Sequence, residues 1–310
     1  MKRQYRILLT LLLIAGALFV LLPQQVVTAA PLRADSDDFV ITVKTDNPGT
    51  SDDDRFIIGT TGTGYNYNVD CNNDGTNEAT GQTGMYTCDY STLGGAGTYT
   101  IRIKDNAGDG TGFPRFYMLP QSSGFDPKKL LSVEQWGTMK WTSMNSAFRD
   151  CTNLAINATD APDLSNVTSL YNMFYNAGIT TEDFSTWDTS NVTNFSQMFG
   201  GAQSFNGNIT TWDTSSATNM SWMFLTAFAF NQDISGWNTG NVTDMTAMFN
   251  AATSFNRDIS AWDTSSVTDM KGIFKYALAF DQNLSDWDMS SVTDAELMFD
   301  DLTLSTENYD

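Results

Sequence analysis

Histidine is absent from all 310 residues of this chain. Histidine is the commonest general base at neutral pH and a frequent zinc ligand, so histidine-based catalytic triads and histidine-ligated zinc sites are excluded. The sequence also lacks a glycine-rich phosphate loop, a nucleophilic serine elbow and a cysteine–histidine pair. We therefore expect a protein that is not an enzyme.

Positive charge is scarce. The chain has 16 Lys and Arg against 36 Asp and Glu, a formal net charge of −20. The imbalance is greatest in residues 151–310, where Arg257, Lys271 and Lys275 face 20 acidic side chains and give a net charge of −17. Such a surface repels nucleic acid and anionic lipid, so we expect neither as a partner.

Long apolar runs are missing except at the N-terminus. Lys2, Arg3 and Arg6 precede an apolar run over residues 7–22, and small residues follow at 27–29. This pattern predicts a signal peptide, residues 1–29, cleaved after Ala29. An uncleaved anchor is the alternative, but the run is short for a spanning helix of about 20 residues. We expect a secreted or cell-surface protein whose mature chain does not insert into a membrane.

Only three cysteines are present. In an oxidising compartment Cys71 and Cys88, which lie 17 residues apart, are candidates for one disulfide. Cys151 remains, and we expect it to be a small buried apolar residue, the usual state of an unpaired cysteine.

Short segments of alternating polar and apolar residues fill the region 39–118, separated by Gly, Asn, Asp and Thr. This pattern predicts a small antiparallel β-sandwich that follows a polar leader at 30–38. The run Gly97-Thr98-Tyr99-Thr100-Ile101 resembles the closing strands of PKD-type and other immunoglobulin-like modules. A connector is predicted at 119–138, with a short helix over 128–136.

A unit of 25 residues repeats through the second half of the chain, which predicts a solenoid of six to seven units over 139–310. Two aromatic columns mark the period, and we expect them to form the repeat core: Trp187, Trp212, Trp237, Trp262 and Trp287, and Phe199, Phe224, Phe249 and Phe274. Val, Met, Met and Phe at spacings of three, three and one predict a helical turn in each unit, after a short strand such as 233–237. The predicted fold class is therefore α+β: a small β-sandwich followed by an α/β solenoid.

The repeat phrase resembles a known family. Residues 230–249 and 255–274 follow the pattern Phe-Asn-x-Asp-Ile-Ser-x-Trp-(Asp/Asn)-Thr-x-x-Val-Thr-Asp-Met-x-x-Met-Phe, with Ile273 replacing the second Met in the later copy. This phrase resembles the BspA-type leucine-rich repeat surface proteins over about residues 128–310. The resemblance implies a leucine-rich-repeat-like solenoid at the cell surface that serves adhesion or protein binding.

The repeated polar columns are candidate binding positions. The column that follows each Trp is a candidate binding ladder: Asp188, Asp213, Asn238, Asp263 and Asp288. The alternatives are a contact surface for a partner, bridging calcium, or side chains that accept hydrogen bonds from turn backbone. The Trp column is likewise either core or an exposed stripe that stacks on carbohydrate, and core is favoured because the apolar columns point inward.

One loop carries a metal-binding pattern. Asp70, Asn72, Asp74, Thr76 and Glu78 place oxygens at alternate positions, with Gly75 at the sixth position of an EF-hand-type loop. Gly81 stands where the bidentate carboxylate is expected. A weak calcium site and an ordinary Asn/Asp/Gly turn both fit, so calcium is the one cofactor that the sequence suggests.

The expected function is non-catalytic. We expect an exported surface protein that binds a protein or glycan partner through its solenoid. Two alternatives are a carbohydrate-binding module with exposed aromatic residues and a structural spacer that presents the N-terminal domain.

Overall fold

The computed structural model describes residues 36–118, 124–302 and 304–305. The predicted signal peptide, 1–29, and most of the polar leader, 30–38, lie outside the described residues. In the part that is described, no helix is long and apolar enough to cross a membrane.

Short strands form the first part of the described chain. The strands are β1 (Phe39–Lys44), β2 (Arg55–Ile58), β3 (Tyr67–Asp70), β4 (Ala79–Gln82), β5 (Tyr86–Asp89), β6 (Thr98–Asp105), β7 (Leu130–Gln135) and β8 (Ala155–Ile156). One 3-10 helix, Pro127–Lys129, precedes β7. Six strands make a sheet in the order β4-β3-β6-β1-β7-β8, and β2 pairs with β5 in a second sheet.

Strand β1 lies inside the six-stranded sheet because its apolar residues are buried on both sides. Phe39, Val40, Ile41 and Val43 are all fully buried. β1 pairs antiparallel with β6, which places Ile41 opposite Ile101, and antiparallel with β7 on its other edge. A strand without an exposed face is most stable between two partners.

Strand β7 corrects one prediction. The helix expected over 128–136 is wrong, because Leu130–Gln135 is a strand that pairs with β1. Leu130 and Val133 are buried there, and this burial against β1 overrides any local helical preference. β7 then pairs in parallel with β8, so the sheet continues directly into the repeats.

The repeats are coils joined by a hydrogen-bonded ladder. Every second N–H over the Met-x-x-Met-Phe segment donates to a carbonyl 24 residues further on, in the next coil. In one coil the donors are Met220, Trp222, Phe224 and Thr226, the acceptors are Asp244, Thr246, Met248 and Asn250, and the distances are 2.7 to 2.9 Å. Isolated parallel bridges run through the same stack, for example Asn219 to Asp244 and Asp244 to Asp269.

This ladder overturns the predicted helical turn. Trp222 and Thr226 have φ of 61° and 53°, and Ala247 and Ala251 repeat this in the next coil. A left-handed residue at every fourth position breaks an α-helix, so each N–H turns to the neighbouring coil instead of to its own chain. The predicted α+β class and leucine-rich-repeat-like α/β solenoid are therefore wrong. The described chain is nearly all β and has no α-helix.

The expected strand at 233–237 is also replaced by a turn, in which the Trp237 N–H donates to the Ile234 carbonyl at 3.1 Å. Apolar residues at helical spacing arise here from successive turns. Each turn sends one side chain inward, and the pattern alone does not distinguish that geometry from a helix.

Aromatic rings fill the centre of the coils. The five Trp of the repeat column are 3% to 7% exposed, and Phe199, Phe224, Phe249 and Phe274 are fully buried. Rings of successive coils lie face to face: the Trp212 and Trp237 centroids are 6.3 Å apart at 6°, and those of Phe224 and Phe249 are 5.6 Å apart at 9°. Such pairs stabilise by about 0.5–1.5 kcal/mol beyond the burial of their area.

Candidate functional site

The predicted disulfide is confirmed. Cys71 and Cys88 are bonded, with their Cα atoms 5.7 Å apart. Cys71 follows β3 of the six-stranded sheet and Cys88 lies on β5 of the two-stranded sheet, so the bond ties the two sheets together. Cys151 is free and buried, and this burial raises the pKa of its thiol well above the ordinary value. A thiol in that state is inert while the fold is intact.

The loop at 70–78 directs its oxygens at its own backbone. The fully buried Asp70 carboxylate accepts the N–H groups of Asp74 and Gly75 at 3.2 and 3.0 Å. Glu78 accepts the Cys71 N–H at 2.6 Å. Asp74 accepts the N–H of Thr76 at 2.8 Å, and this bond, with that from the Asn72 amide, lowers the Asp74 pKa.

These contacts fit a closed turn better than a calcium site. The Lys104 ammonium lies 3.4 Å from Asp70 and already supplies a positive charge. Across the described ranges, no group of three or more acidic or cysteine side chains is placed to hold a metal ion. Calcium binding by Asp70, Asn72, Asp74, Thr76 and Glu78 stays a prediction, which calorimetry of the full chain with and without calcium tests.

Two buried charged side chains just before β7, Asp126 and Lys129, were not anticipated from the sequence, and both bond to the Ser51 hydroxyl. Asp126 accepts the N–H groups of Thr50, Ser51 and Ile57, and Lys129 donates to the carbonyls of Ser51, Asp52 and Arg55. Both side chains are fully buried, and the bonds fasten the loop before β2 to the 3-10 helix. Because every partner is protein backbone or Ser51, this pair acts in folding.

The side chains of the candidate binding ladder accept hydrogen bonds that close backbone turns. Each side chain accepts the N–H of the residue two positions later, at 2.8 to 3.1 Å, in Asp188, Asp213, Asn238, Asp263 and Asp288. The hydroxyl and N–H of the following Ser lower the pKa of the four Asp in this column. The column at Asp183, Asn208, Asp233, Asp258 and Asn283 makes the same bond. Each coil needs these acceptors to close its turns, which accounts for their repetition.

The Trp column is part of the interior, and four of its five indole N–H groups make a hydrogen bond to protein. The indole N–H donates to a carbonyl of the preceding coil, 28 residues earlier, at 2.9 Å from Trp212 to Phe184 and 3.2 Å from Trp237 to Ile209. Trp262 and Trp287 repeat the bond. A buried indole with its N–H paired is not accessible to an external ligand.

A different tryptophan is accessible, and the 25-residue Trp column does not predict it. Trp222 is 41% exposed, whereas the other seven tryptophans are 0% to 7% exposed. The sequence holds the signal that could have found it, because Trp222 stands ten residues out of phase with the Trp column. Phe228 is 39% exposed and Tyr276 is 42% exposed, and both follow Trp222 at nearby positions of the 25-residue repeat.

Comparison with known proteins places the coils in a family. Residues 142–252 and 207–310 match the family described as "Mycoplasma protein of unknown function, DUF285". No curated protein and no solved structure matches the chain. The family match supports a repeat surface protein, and it does not extend to the strands of residues 39–118, whose resemblance to PKD-type modules stays a prediction. The two matched ranges together cover more than half of the chain, which therefore belongs to the DUF285 family.

Proposed function

We propose that this chain is a non-catalytic, exported surface protein that recognises a protein or glycan partner through its repeats. One observation carries the proposal. Polar side chains that recur in every coil, such as Asp188 and Asp213, are used to close turns. Side chains that differ from coil to coil, such as Trp222 and Phe228, point outward. A constant frame with a variable exposed surface is the usual arrangement of a recognition solenoid.

The electrostatics of the carboxylates support a non-catalytic role. A catalytic pair needs two carboxylates whose environments push their pKa values apart. Here the Asp pKa values shift in the same direction, downward, because each Asp accepts the same two bonds from a following Ser. Groups that all stay ionised at neutral pH do not divide into an acid and a base.

Export rests on the N-terminal pattern and on membership of a surface repeat family. Expression of the full chain in a secreting bacterial host tests it. We expect the secreted protein to begin at Ala30, by intact mass. A secreted protein that still carries residues 1–29 contradicts cleavage.

Binding is tested with the purified mature chain on immobilised extracellular matrix proteins and on a neutral and acidic glycan array. We expect saturable binding to at least one class, with the mass of the bound ligand unchanged after long incubation. Cleavage or modification of a ligand contradicts the non-catalytic assignment. Absence of saturable binding to either class favours the spacer alternative.

A further inference from the structure

One face of the coils is free of negative charge. It comprises the outward side chains of residues 171–178, 196–203, 221–228, 246–253 and 271–278, which we name the ladder face because these segments form the hydrogen-bonded ladder. These five segments contain no Asp or Glu, although residues 151–310 contain 20. Their two charged residues are Lys271 and Lys275, which pair with Glu296 and Asp300 of the next coil and so leave little free positive charge. A partner that binds elsewhere on the coils would have to remove water from carboxylates, which costs free energy. An uncharged partner that binds this face avoids that cost.

The same face carries most of the exposed large apolar side chains of the repeats. They are Tyr171, Trp222, Phe228, Tyr276 and Leu278. The other exposed large apolar residues of the described repeats are Met289, Leu297 and Phe299. Phe299 continues the interior Phe column, since its ring stacks on Phe274. Clustering on one face, with a polar surround, is typical of an interaction site and not of scattered surface residues.

The fold does not require a tryptophan at position 222. Its φ of 61° lies in the left-handed region, which is unfavourable for a bulky side chain. Ala247 and Gly272 occupy the same position in the next two coils, so small residues satisfy the backbone there. A large ring that is exposed and conformationally disfavoured is more consistent with contact to a ligand than with packing.

Two side-chain amides with unused hydrogen-bonding capacity lie in the ladder-face segments of the coils before and after Trp222. Gln197 occupies the same position one coil earlier, and Asn250 lies in the next coil, where its carbonyl accepts the Thr226 N–H at 2.8 Å. Within the described residues the side-chain amides of Gln197 and Asn250 make no hydrogen bond. In contrast, the Asn208 and Asn238 side chains accept turn N–H groups. Free amides beside an exposed ring supply both donors and acceptors to a ligand.

We propose that the ladder face binds a neutral oligosaccharide, with a sugar ring stacked on Trp222 and hydroxyl groups bonded to Gln197 and Asn250. This proposal rests on the recognition function above and names its partner class. Sugar C–H groups, polarised by the neighbouring oxygens, are attracted to the negative face of an aromatic ring. A basic protein is drawn instead to the acidic turns on the other sides of the coil, where the charge lies. The absence of acidic residues from the ladder face therefore favours a neutral glycan.

Fluorescence of the full chain tests the proposal, because Trp222 is the single well-exposed tryptophan of eight. The probes are cellopentaose, chitopentaose and maltopentaose, with binding measured in parallel by calorimetry. We expect at least one probe to bind, to shift the tryptophan emission to shorter wavelength and to protect it from acrylamide quenching. Trp222→Ala and Phe228→Thr are expected to raise Kd by about tenfold or more each.

The variants are matched to the fold. The next coil has alanine, Ala247, at the position of Trp222 and threonine, Thr253, at the position of Phe228. Trp222→Ala and Phe228→Thr therefore use residues that the repeat already accepts, and the coil is expected to fold unchanged. Met289→Ala removes a residue of similar exposure, 40%, off the ladder face and is expected to leave Kd unchanged. Unaltered near-ultraviolet circular dichroism checks folding of each variant.

Three results overturn this inference, and the first two separate it from the proposed function. If the wild-type chain binds matrix proteins but none of the neutral probes, recognition stands and the glycan assignment falls. If a probe binds equally well to Trp222→Ala and Phe228→Thr, the ladder face is not the site. If the wild-type chain binds neither class, both proposals fall together.

Discussion

At the scale of single residues, the repeat depends on side chains that perform two tasks. Trp237 fills the interior between Trp212 and Trp262, and its indole N–H also satisfies the Ile209 carbonyl. A phenylalanine would fill much of the same space but could not donate that bond. This double role explains the Trp at four positions of the column, 212, 237, 262 and 287, where the indole N–H makes the same bond. The neighbouring column, which needs no donor, is Phe.

Trp237→Ala is expected to lower the free energy of unfolding by about 3–5 kcal/mol, through lost burial and the cavity left behind. Trp237→Phe is the matched variant. It keeps a ring in the stack and leaves only the Ile209 carbonyl unpaired, so a smaller loss of about 1–3 kcal/mol is expected. Urea unfolding followed by circular dichroism measures both. Equal losses in the two variants would show that the hydrogen bond, and not the volume, dominates.

Left-handed positions give a second test at this scale. Gly272 has φ of 61°, and a Cβ added there meets no atom closer than 3.8 Å, so Gly272→Ala probes backbone strain without a clash. We expect it to destabilise by about 1 kcal/mol. Ala247→Gly, at the same position one coil earlier, is expected to stabilise the fold by a smaller amount. It relieves the backbone strain at φ > 0, but glycine's greater freedom in the unfolded state offsets part of that gain. The melting temperatures of both variants, compared with wild type, test this expectation. Melting temperatures that shift in the same direction in both variants refute the strain argument.

At the scale of elements, the sheets depend on a covalent link that crosses between them. The two-stranded sheet of β2 and β5 is small, and two paired strands on their own are marginally stable at best in water. The Cys71–Cys88 bond attaches it to the end of β3.

Replacing both bonded cysteines by serine is expected to lower the stability of the full chain by about 3 kcal/mol, the entropy of a closed loop of this length. Wild type kept under a strong reductant serves as the comparison and is expected to match the double variant. Cys151 is expected to stay unreactive toward a thiol reagent until urea unfolds the coils, because it is buried. Rapid labelling of Cys151 in the native state would contradict its placement.

Some features of these elements could be predicted from the sequence and others could not. The 25-residue period and the disulfide could be predicted, because both follow from spacing and compartment. The helical turn could not be excluded, because Val242, Met245, Met248 and Phe249 are all buried, as they would be on one face of a helix. The left-handed backbone at Ala247 and Ala251 excludes the helix. Alanine does not favour this conformation, so the sequence could not have predicted it.

The candidate site divides along similar lines. The polar columns were visible as a pattern, but their acceptor role needed coordinates, since an Asp that closes a turn and an Asp that meets a partner have the same sequence spacing. Trp222 was not predicted as a site residue, because it falls outside the column of Trp at 25-residue spacing. In a repeat protein the departures from the period hold information about recognition, and the period itself holds information about folding.

At the scale of the whole molecule, the acidic columns couple stability to pH. Seven turn Asp residues have pKa values lowered below the ordinary 3.8 by hydrogen bonds from the following Ser: Asp183, Asp188, Asp213, Asp233, Asp258, Asp263 and Asp288. A lowered folded-state pKa stabilises the fold above the unfolded pKa, and that stability is lost as pH falls through the folded value.

The melting temperature is therefore expected to fall below about pH 4, although protonation also relieves repulsion in a chain of net charge −20. Asp213→Asn with Asp263→Asn is the matched variant, since Asn238 already serves in that column and keeps the acceptor oxygen. It is expected to flatten the acid limb of the pH profile. A melting temperature that rises on acidification would show that repulsion between the columns outweighs the turn bonds.

The ladder between coils also has a direction. Over the ladder segment the four N–H groups of each coil all donate toward the next coil, so this stretch offers donors on one edge and acceptors on the other. Outside it the direction reverses, because the Thr218 N–H donates back to the Thr193 carbonyl of the previous coil. Two copies related by a twofold axis through like edges would oppose donor to donor or acceptor to acceptor. The backbone itself thus disfavours symmetric end-to-end pairing, the hazard that exposed strand edges usually carry. Only a segment in the same orientation can extend the stack, which gives these repeats a polarity like that of a filament.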